Sequence, residues 1–131
     1  MPRQGLSAPV TRDSFIGFCT LMAASIGRTE LAATDPPSLP KAVPVTKLAM
    51  LGVSNVHKGK GYGKALLLHA IDVTVRTAAS VGSYGLYLEA DDGAHDFYLK
   101  LSFVPLKVRQ PRNPTPMFLH AETARQAILS H

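Results

Sequence analysis

The 131-residue chain has no tryptophan, one cysteine and only 7% aromatic residues. A lone Cys19 excludes an intramolecular disulfide and any metal site built from several cysteines, which makes a reducing cytoplasm the natural compartment. The five histidines, His57, His69, His95, His120 and His131, form no i,i+4 pair and have no carboxylate at metal-ligand spacing, so no metal is expected. Acidic residues are scarce as well. Nine Asp+Glu against fourteen Lys+Arg give a formal charge of +5 and a pI near 9.6, a balance that favours anionic partners without choosing among nucleic acid, phosphorylated cofactors and acidic proteins.

The chain also lacks an apolar stretch long enough to span a bilayer, which takes about 20 residues. Its most apolar run is residues 15–26, FIGFCTLMAASI. With Arg3 and Arg12 ahead of it and Ala32 and Ala33 behind, this run superficially resembles a signal peptide. Asp13 directly before it, and Phe15, Ile16 and Phe18 within it, suit a buried strand better, so no membrane association is expected. What remains, with 46% hydrophobic residues, fits a single compact domain over residues 1–131 with a core of its own.

Punctuation divides the chain. Residues 34–44, TDPPSLPKAVP, carry four of the ten prolines and read as an extended loop. Residues 47–53 (KLAMLGV) read as a buried strand. A long helix follows a glycine loop: Leu67, Ile71, Val75 and Ala78 fall on one face, His69, Asp72, Arg76 and Ser80 on the other, and Gly82 stands as its stop. Residues 84–90 alternate as a strand. Asp91 or Asp92 is placed to cap a short helix running to about Leu101. Residues 103–108 return to strand, with Pro105 putting that strand late or at an edge. Residues 109–116 form a loop, 117–120 a short strand and 121–130 a terminal helix. The order of elements indicates an α/β or α+β sandwich.

The glycine loop lies in GVSNVHKGKGYGKALLLHAI, residues 52–71. A triphosphate-binding loop needs Gly, four residues, then Gly-Lys-Ser/Thr, but Lys58 and Ala65 occupy the first and last of those positions. A dinucleotide fingerprint starting at Gly59 and Gly61 needs its third glycine where Lys64 stands. Two readings survive: a tight strand-to-helix turn on a basic surface, or a cradle whose backbone N–H groups meet an anion at a helix start.

The surrounding residues resemble a known family. Lys58-x-x-Gly61-x-Gly63-Lys64-Ala65-Leu66 behind a strand is similar to the acetyl-CoA-binding motif of the GCN5-related N-acetyltransferases, with Lys58 in place of Gln or Arg. EADDGAHDFYLKLSFVP, residues 89–105, looks like the family's strand, helix, Phe-Tyr pair and closing Gly-Phe, altered here to Ser102-Phe103. Together with residues 28–53 and 114–120, the resemblance is to the branch that contains toxins of type II toxin-antitoxin systems, and it covers roughly residues 14–120.

That resemblance implies a mixed, mostly antiparallel twisted sheet flanked by helices, shortened at the N-terminus: the family begins with a strand and two helices, whereas only about thirteen residues precede Ser14 here. It implies acetyl-CoA as substrate, its pantetheine beside the backbone of Leu51 and Val53, the Val53 N–H as oxyanion donor, and its pyrophosphate on Gly59, Lys60, Gly61, Tyr62, Gly63 and Lys64, with Lys58, Lys60 and Lys64 adding charge. Tyr98 falls where the family carries its general acid. Read without the family, Tyr98 is a core tyrosine beside Phe97. Glu89 is a strand-end carboxylate able to accept a proton, and Arg109 and Arg112 are loop cations that are either solvated or turned to tRNA phosphates. The implied acceptor is the α-amine of aminoacyl-tRNA, with a small amine as the alternative and a non-catalytic protein that binds CoA, tRNA or an antitoxin as the other. A ribbon-helix-helix antitoxin and a second copy of the chain, as homodimer, are the implied partners.

Overall fold

A computed structural model describes residues 17–34, 39–53 and 61–129. Strand β1 (Gly17–Gly27) leads through a 3-10 segment (Arg28–Thr34) to β2 (Ala42–Val53). Helix α1 (Tyr62–Val81), strand β3 (Gly85–Ala90), a 3-10 turn (Asp92–Ala94) and helix α2 (His95–Lys100) come next. The chain continues with β4 (Val104–Pro105), β5 (Thr115–His120) and helix α3 (Ala121–Leu129). The five strands form one sheet in the order β1-β2-β3-β5-β4. Every neighbouring pair is antiparallel except β2 with β3, the mixed, mostly antiparallel sheet that the family resemblance implies.

Alternation sets the two faces. Cys19, Leu21, Leu86, Leu88, Ala90, Met117 and Leu119 join Leu67, Ala70 and Ile71 of α1 and Ala124 of α3 in the larger core. Val43, Val45 and Phe118 occupy the other face, where Leu31 of the 3-10 segment is fully buried against them. Gly82 ends α1 as expected: at φ 71 it takes the left-handed conformation, and its N–H and that of Ser83 both reach the Ala78 carbonyl. The burial of Cys19 pushes its thiol pKa upward, which makes it a poor nucleophile.

Several boundaries differ from the sequence reading. Residues 34–44 are not one extended loop, because Thr34 closes the 3-10 segment and β2 starts at Ala42, five residues before Lys47. Pro44 is tolerated inside β2 for a geometric reason. Its carbonyl accepts from Tyr84 N–H at 2.8 Å, so its nitrogen also points toward the β3 side, and the ladder to β1 loses no donor. The strand expected over 103–108 shrinks to Val104 and Pro105 at the sheet edge, while β5 takes Thr115 and Pro116 from the expected loop. Asp91 occupies the cap position of the turn before α2 but makes no side-chain cap bond there.

Candidate active site

The site begins with an interruption in the sheet. The parallel β2 and β3 pair only through Thr46 with Leu86 and Lys47 with Tyr87. Beyond those residues the strands part, and a cleft of about 400 Å3 opens between Leu48–Leu51 of β2 and Leu88–Asp91 at the end of β3. Two strands that diverge leave backbone donors and acceptors along their facing edges, which a ligand can use in place of the missing ladder.

A β-bulge shapes one wall of this cleft. Leu21 faces Leu48 and Thr20 faces Met50, so Ala49 is an extra residue in β2. Leu48 and Leu51 lie three apart, which in a regular strand would put them on opposite faces, yet both pack onto the helix-covered core. The bulge turns Leu51 inward and leaves Ala49 and Met50 exposed on the cleft wall. Sequence reasoning named Leu51 but passed over Phe18, Leu48, Ala49, Met50, Asp91 and Pro114, which also line the cleft. An extra strand residue has no compositional mark, so the bulge left no signal to find.

Tyr98 closes the cleft from α2. Its ring is buried, edge-on to Phe97 at 5.2 Å and to Phe103 at 5.5 Å between centroids. Tyr98 is thus a core tyrosine, as its neighbours in the sequence suggest, and the same side chain lines the cleft. Burial, and then the nearby charge of Asp91, push its phenol pKa above the usual 10, so Tyr98 keeps its proton at neutral pH. The backbone that presents it is tightly turned: Leu101 and Phe103 N–H groups both donate to the Tyr98 carbonyl, and Ser102 sits at φ 73. Ser102 takes the left-handed conformation at the position where the family has glycine.

Glu89 is exposed at the other wall, 3.8 Å from Lys47 Nζ. Arg109 is spoken for. Its Nε meets Asp92 Oδ1 at 2.7 Å, and its guanidinium also reaches the Asp92 carbonyl at 2.9 Å and Asp96 at 3.6 Å. This clamp ties the proline-rich loop to the turn before α2 and withdraws Arg109 from the free cations offered by the sequence. Arg112, exposed at φ 69, makes no ion pair with another described residue.

At the far end, Gly61 caps α1 at φ 83 and its carbonyl accepts from Ala65 N–H at 3.1 Å. Tyr62 and Gly63 are half-buried and Lys64 is exposed in the first turn. Only glycine adopts that left-handed conformation without strain. Lys58, Gly59 and Lys60 lie outside the described residues. Val53 ends β2 opposite Gly17, two residues past Leu51. Among the described residues, no three His, Cys, Asp or Glu side chains gather as a metal site, and no helix is long and apolar enough to cross a membrane.

Residues 10–103 match the acetyltransferase (GNAT) family. The chain belongs to that family. A tRNA-acetylating toxin of Mycobacterium tuberculosis is 30% identical over 114 residues, which cover 86% of this chain and 66% of the toxin. A bacterial toxin of known crystal structure superposes with a TM-score of 0.82 at 30% identity, over 88% of this chain and 65% of its own. AtaT complexed with acetyl-methionyl-tRNAfMet gives a TM-score of 0.69 at 27% identity, over 86% of this chain and 66% of its own. A tyrosine-to-phenylalanine mutant of AtaT, solved with the C-terminus of the antitoxin AtaR and acetyl-CoA, gives 0.66 at 25% identity, over 86% and 63%. The GNAT chain described here thus spans just under two thirds of the length of each of these relatives.

Proposed function

We propose that this GNAT chain binds acetyl-CoA and transfers the acetyl group to the α-amine of aminoacyl-tRNA, as a toxin whose partner is an antitoxin. The parting of β2 from β3 with Tyr98 at the resulting cleft carries the reading. The M. tuberculosis relative is a tRNA-acetylating toxin, and the AtaT complexes hold acetyl-methionyl-tRNAfMet, acetyl-CoA and an antitoxin. Leu51 and Val53 supply backbone groups to the pantetheine, with the Val53 N–H as donor to the developing oxyanion. Acetyl transfer makes a C–N bond and breaks a C–S bond, so one proton leaves the amine and one reaches the sulfur. Tyr98, protonated at neutral pH, donates toward the sulfur as charge develops there and recovers its proton from solvent. An α-amine with a pKa of about 7.7 to 8.0 is already partly neutral near pH 7 and needs no strong base.

The acceptor is tested by transfer of labelled acetyl to charged and uncharged tRNA in parallel. Label only on the charged species is the expected result. Equal labelling of both would remove the α-amine as acceptor, and label on small amines alone would select the small-amine alternative.

The pyrophosphate cradle is tested separately by calorimetry with CoA. Gly61→Ala and Gly61→Glu carry the same left-handed strain at φ 83, where an added Cβ meets no described residue within 4 Å. Only the second adds a carboxylate at the helix start, where the dipole favours anions. Affinity for CoA should fall at least about tenfold further in Gly61→Glu than in Gly61→Ala; equal affinities would place the pyrophosphate elsewhere.

A further inference from the structure

Lys47 stands at the fork of the sheet, in the last pair that joins β2 to β3. Its register partners, Met22 on β1 and Tyr87 on β3, flank it on the face away from the helix-covered core that holds Leu48, Leu86 and Leu88. The side chain does not stay beside Tyr87. Its Nζ lies 3.8 Å from Oε1 of Glu89, two residues and so about 6 to 7 Å further along β3, in the direction in which the strands separate. Glu89 lines the cleft between the parted strands, and so does Tyr98. The Lys47 amine is therefore turned toward the cleft that Tyr98 closes. At 3.8 Å it makes an ion pair with Glu89 but no hydrogen bond, and its side chain is 35% exposed. Lys41, Lys64, Lys100 and Lys107 are exposed and make no ion pair with another described residue.

We propose that the chain acetylates itself at Lys47, with acetyl-CoA in the cleft between β2 and β3 as the donor. The assignment rests on the transferase reading above and adds to it an acceptor of the chain's own. Glu89 takes a proton from the Lys47 ammonium, and the neutral Nζ attacks the thioester carbonyl. The C–N bond forms, the C–S bond breaks, and the departing thiolate receives the Tyr98 proton. Glu89 then gives its proton to solvent, and Tyr98 regains one from it. A lysine ammonium in general holds its proton more tightly than an α-ammonium and is the poorer nucleophile near neutral pH. Tethering offsets this, because an amine well oriented beside the carbonyl acts at an effective concentration of roughly 10⁵ M or more. Met22 and Tyr87 on either side limit the rotamer freedom that Lys47 loses in reaching that position. The pair with Glu89 does not lock the amine in place, since an ion pair between partly exposed side chains holds weakly. The product amide carries no charge, so acetylation lowers the formal charge of +5 by one and removes the cation from Glu89.

The test incubates the full chain with labelled acetyl-CoA and no added acceptor, and locates the label by peptide mass spectrometry. Lys47 should gain an acetyl group at least about tenfold faster than Lys100 and Lys107, whose exposure makes them reporters of spontaneous acetylation. Tyr98→Phe should slow the reaction at Lys47 roughly 10²-fold to 10⁴-fold, with no such effect at Lys100 and Lys107, a split between sites that loss of the fold does not imitate. At saturating acetyl-CoA the half-time should stay constant as the chain is diluted, because donor and acceptor meet within one molecule. Label spread evenly over the lysines, a rate at Lys47 indifferent to Tyr98→Phe, or a half-time that lengthens on dilution would each overturn the proposal. An unlabelled Lys47 in a chain that acetylates charged tRNA would overturn it and leave the transferase reading. Tyr98-dependent label on Lys47 without transfer to charged tRNA would sink the tRNA acceptor and leave self-acetylation, and no label on either would sink both.

Discussion

Tyr98→Phe is expected to slow acetyl transfer by roughly 10²-fold to 10⁴-fold, the range for losing a general acid, with CoA affinity unchanged. The substitution removes one oxygen from a ring held edge-on between Phe97 and Phe103, so packing survives. Binding and chemistry should then separate: kcat falls and the calorimetric Kd stays. The pH profile gives an independent signature. The rate rises with pH as the α-amine of the acceptor loses its proton, with a midpoint near its pKa of about 7.7 to 8.0. The alkaline fall requires Tyr98 to ionise. Burial and Asp91 raise that pKa, so the plateau should extend beyond about pH 10, the ordinary phenol value. Removing Asp91 as Asp91→Asn takes away one of the two causes and should bring the alkaline limb to lower pH. A Tyr98→Phe chain that transfers acetyl at the wild-type rate would reduce Tyr98 to a core residue.

The elements that rest on local chemistry were legible in the residues, and those that rest on pairing were not. The apolar face of α1 and its stop at Gly82 follow from helical spacing and from the conformational freedom of one glycine, both carried by the chain itself. Pro105 announced an edge strand for the same reason, since a missing donor is a property of the residue. Pro44 gave the opposite signal and was overruled. Whether its absent N–H matters depends on which edge of β2 it faces, and that is set by the partner strands. The 3-10 segment was hidden in the same way, because Leu31 is helical only where it can bury against Val43, Val45 and Phe118. The site divides similarly. Tyr98 was singled out through an ordered motif and lines the cleft, whereas the cleft itself exists because β2 and β3 stop pairing after Lys47 and Tyr87. The clamp of Arg109 on Asp92 joins residues seventeen apart and has no periodic signature in the sequence.

Gly85→Ala is expected to destabilise the chain by about 3 kcal/mol or more, a large share of the roughly 5 to 15 kcal/mol that holds a domain together. Its backbone is ordinary strand; what the position lacks is room. A Cβ there would collide with the Leu119 carbonyl oxygen, come within 2.6 Å of the Phe118 ring and approach the His120 Cα at 3.0 Å. Two of those three obstacles are backbone of β5, which pairs with Gly85 through His120. Relief therefore requires the strands to separate rather than a side chain to turn. Separation would also open the Tyr84 carbonyl bond to Ala121 N–H, 3.0 Å long, and loosen the stacking of Tyr84 on Phe118 at 5.7 Å. At about 3 to 4 °C per kcal/mol for a domain of this size, the melting temperature should drop by roughly 10 °C. Gly93→Ala is the matched control, because a Cβ at Gly93 meets no described residue within 4 Å and should change stability by less than about 0.5 kcal/mol. Thermal unfolding of the two variants side by side decides it. If Gly85→Ala melts with Gly93→Ala, the close approach of β3 to β5 at this point is wrong.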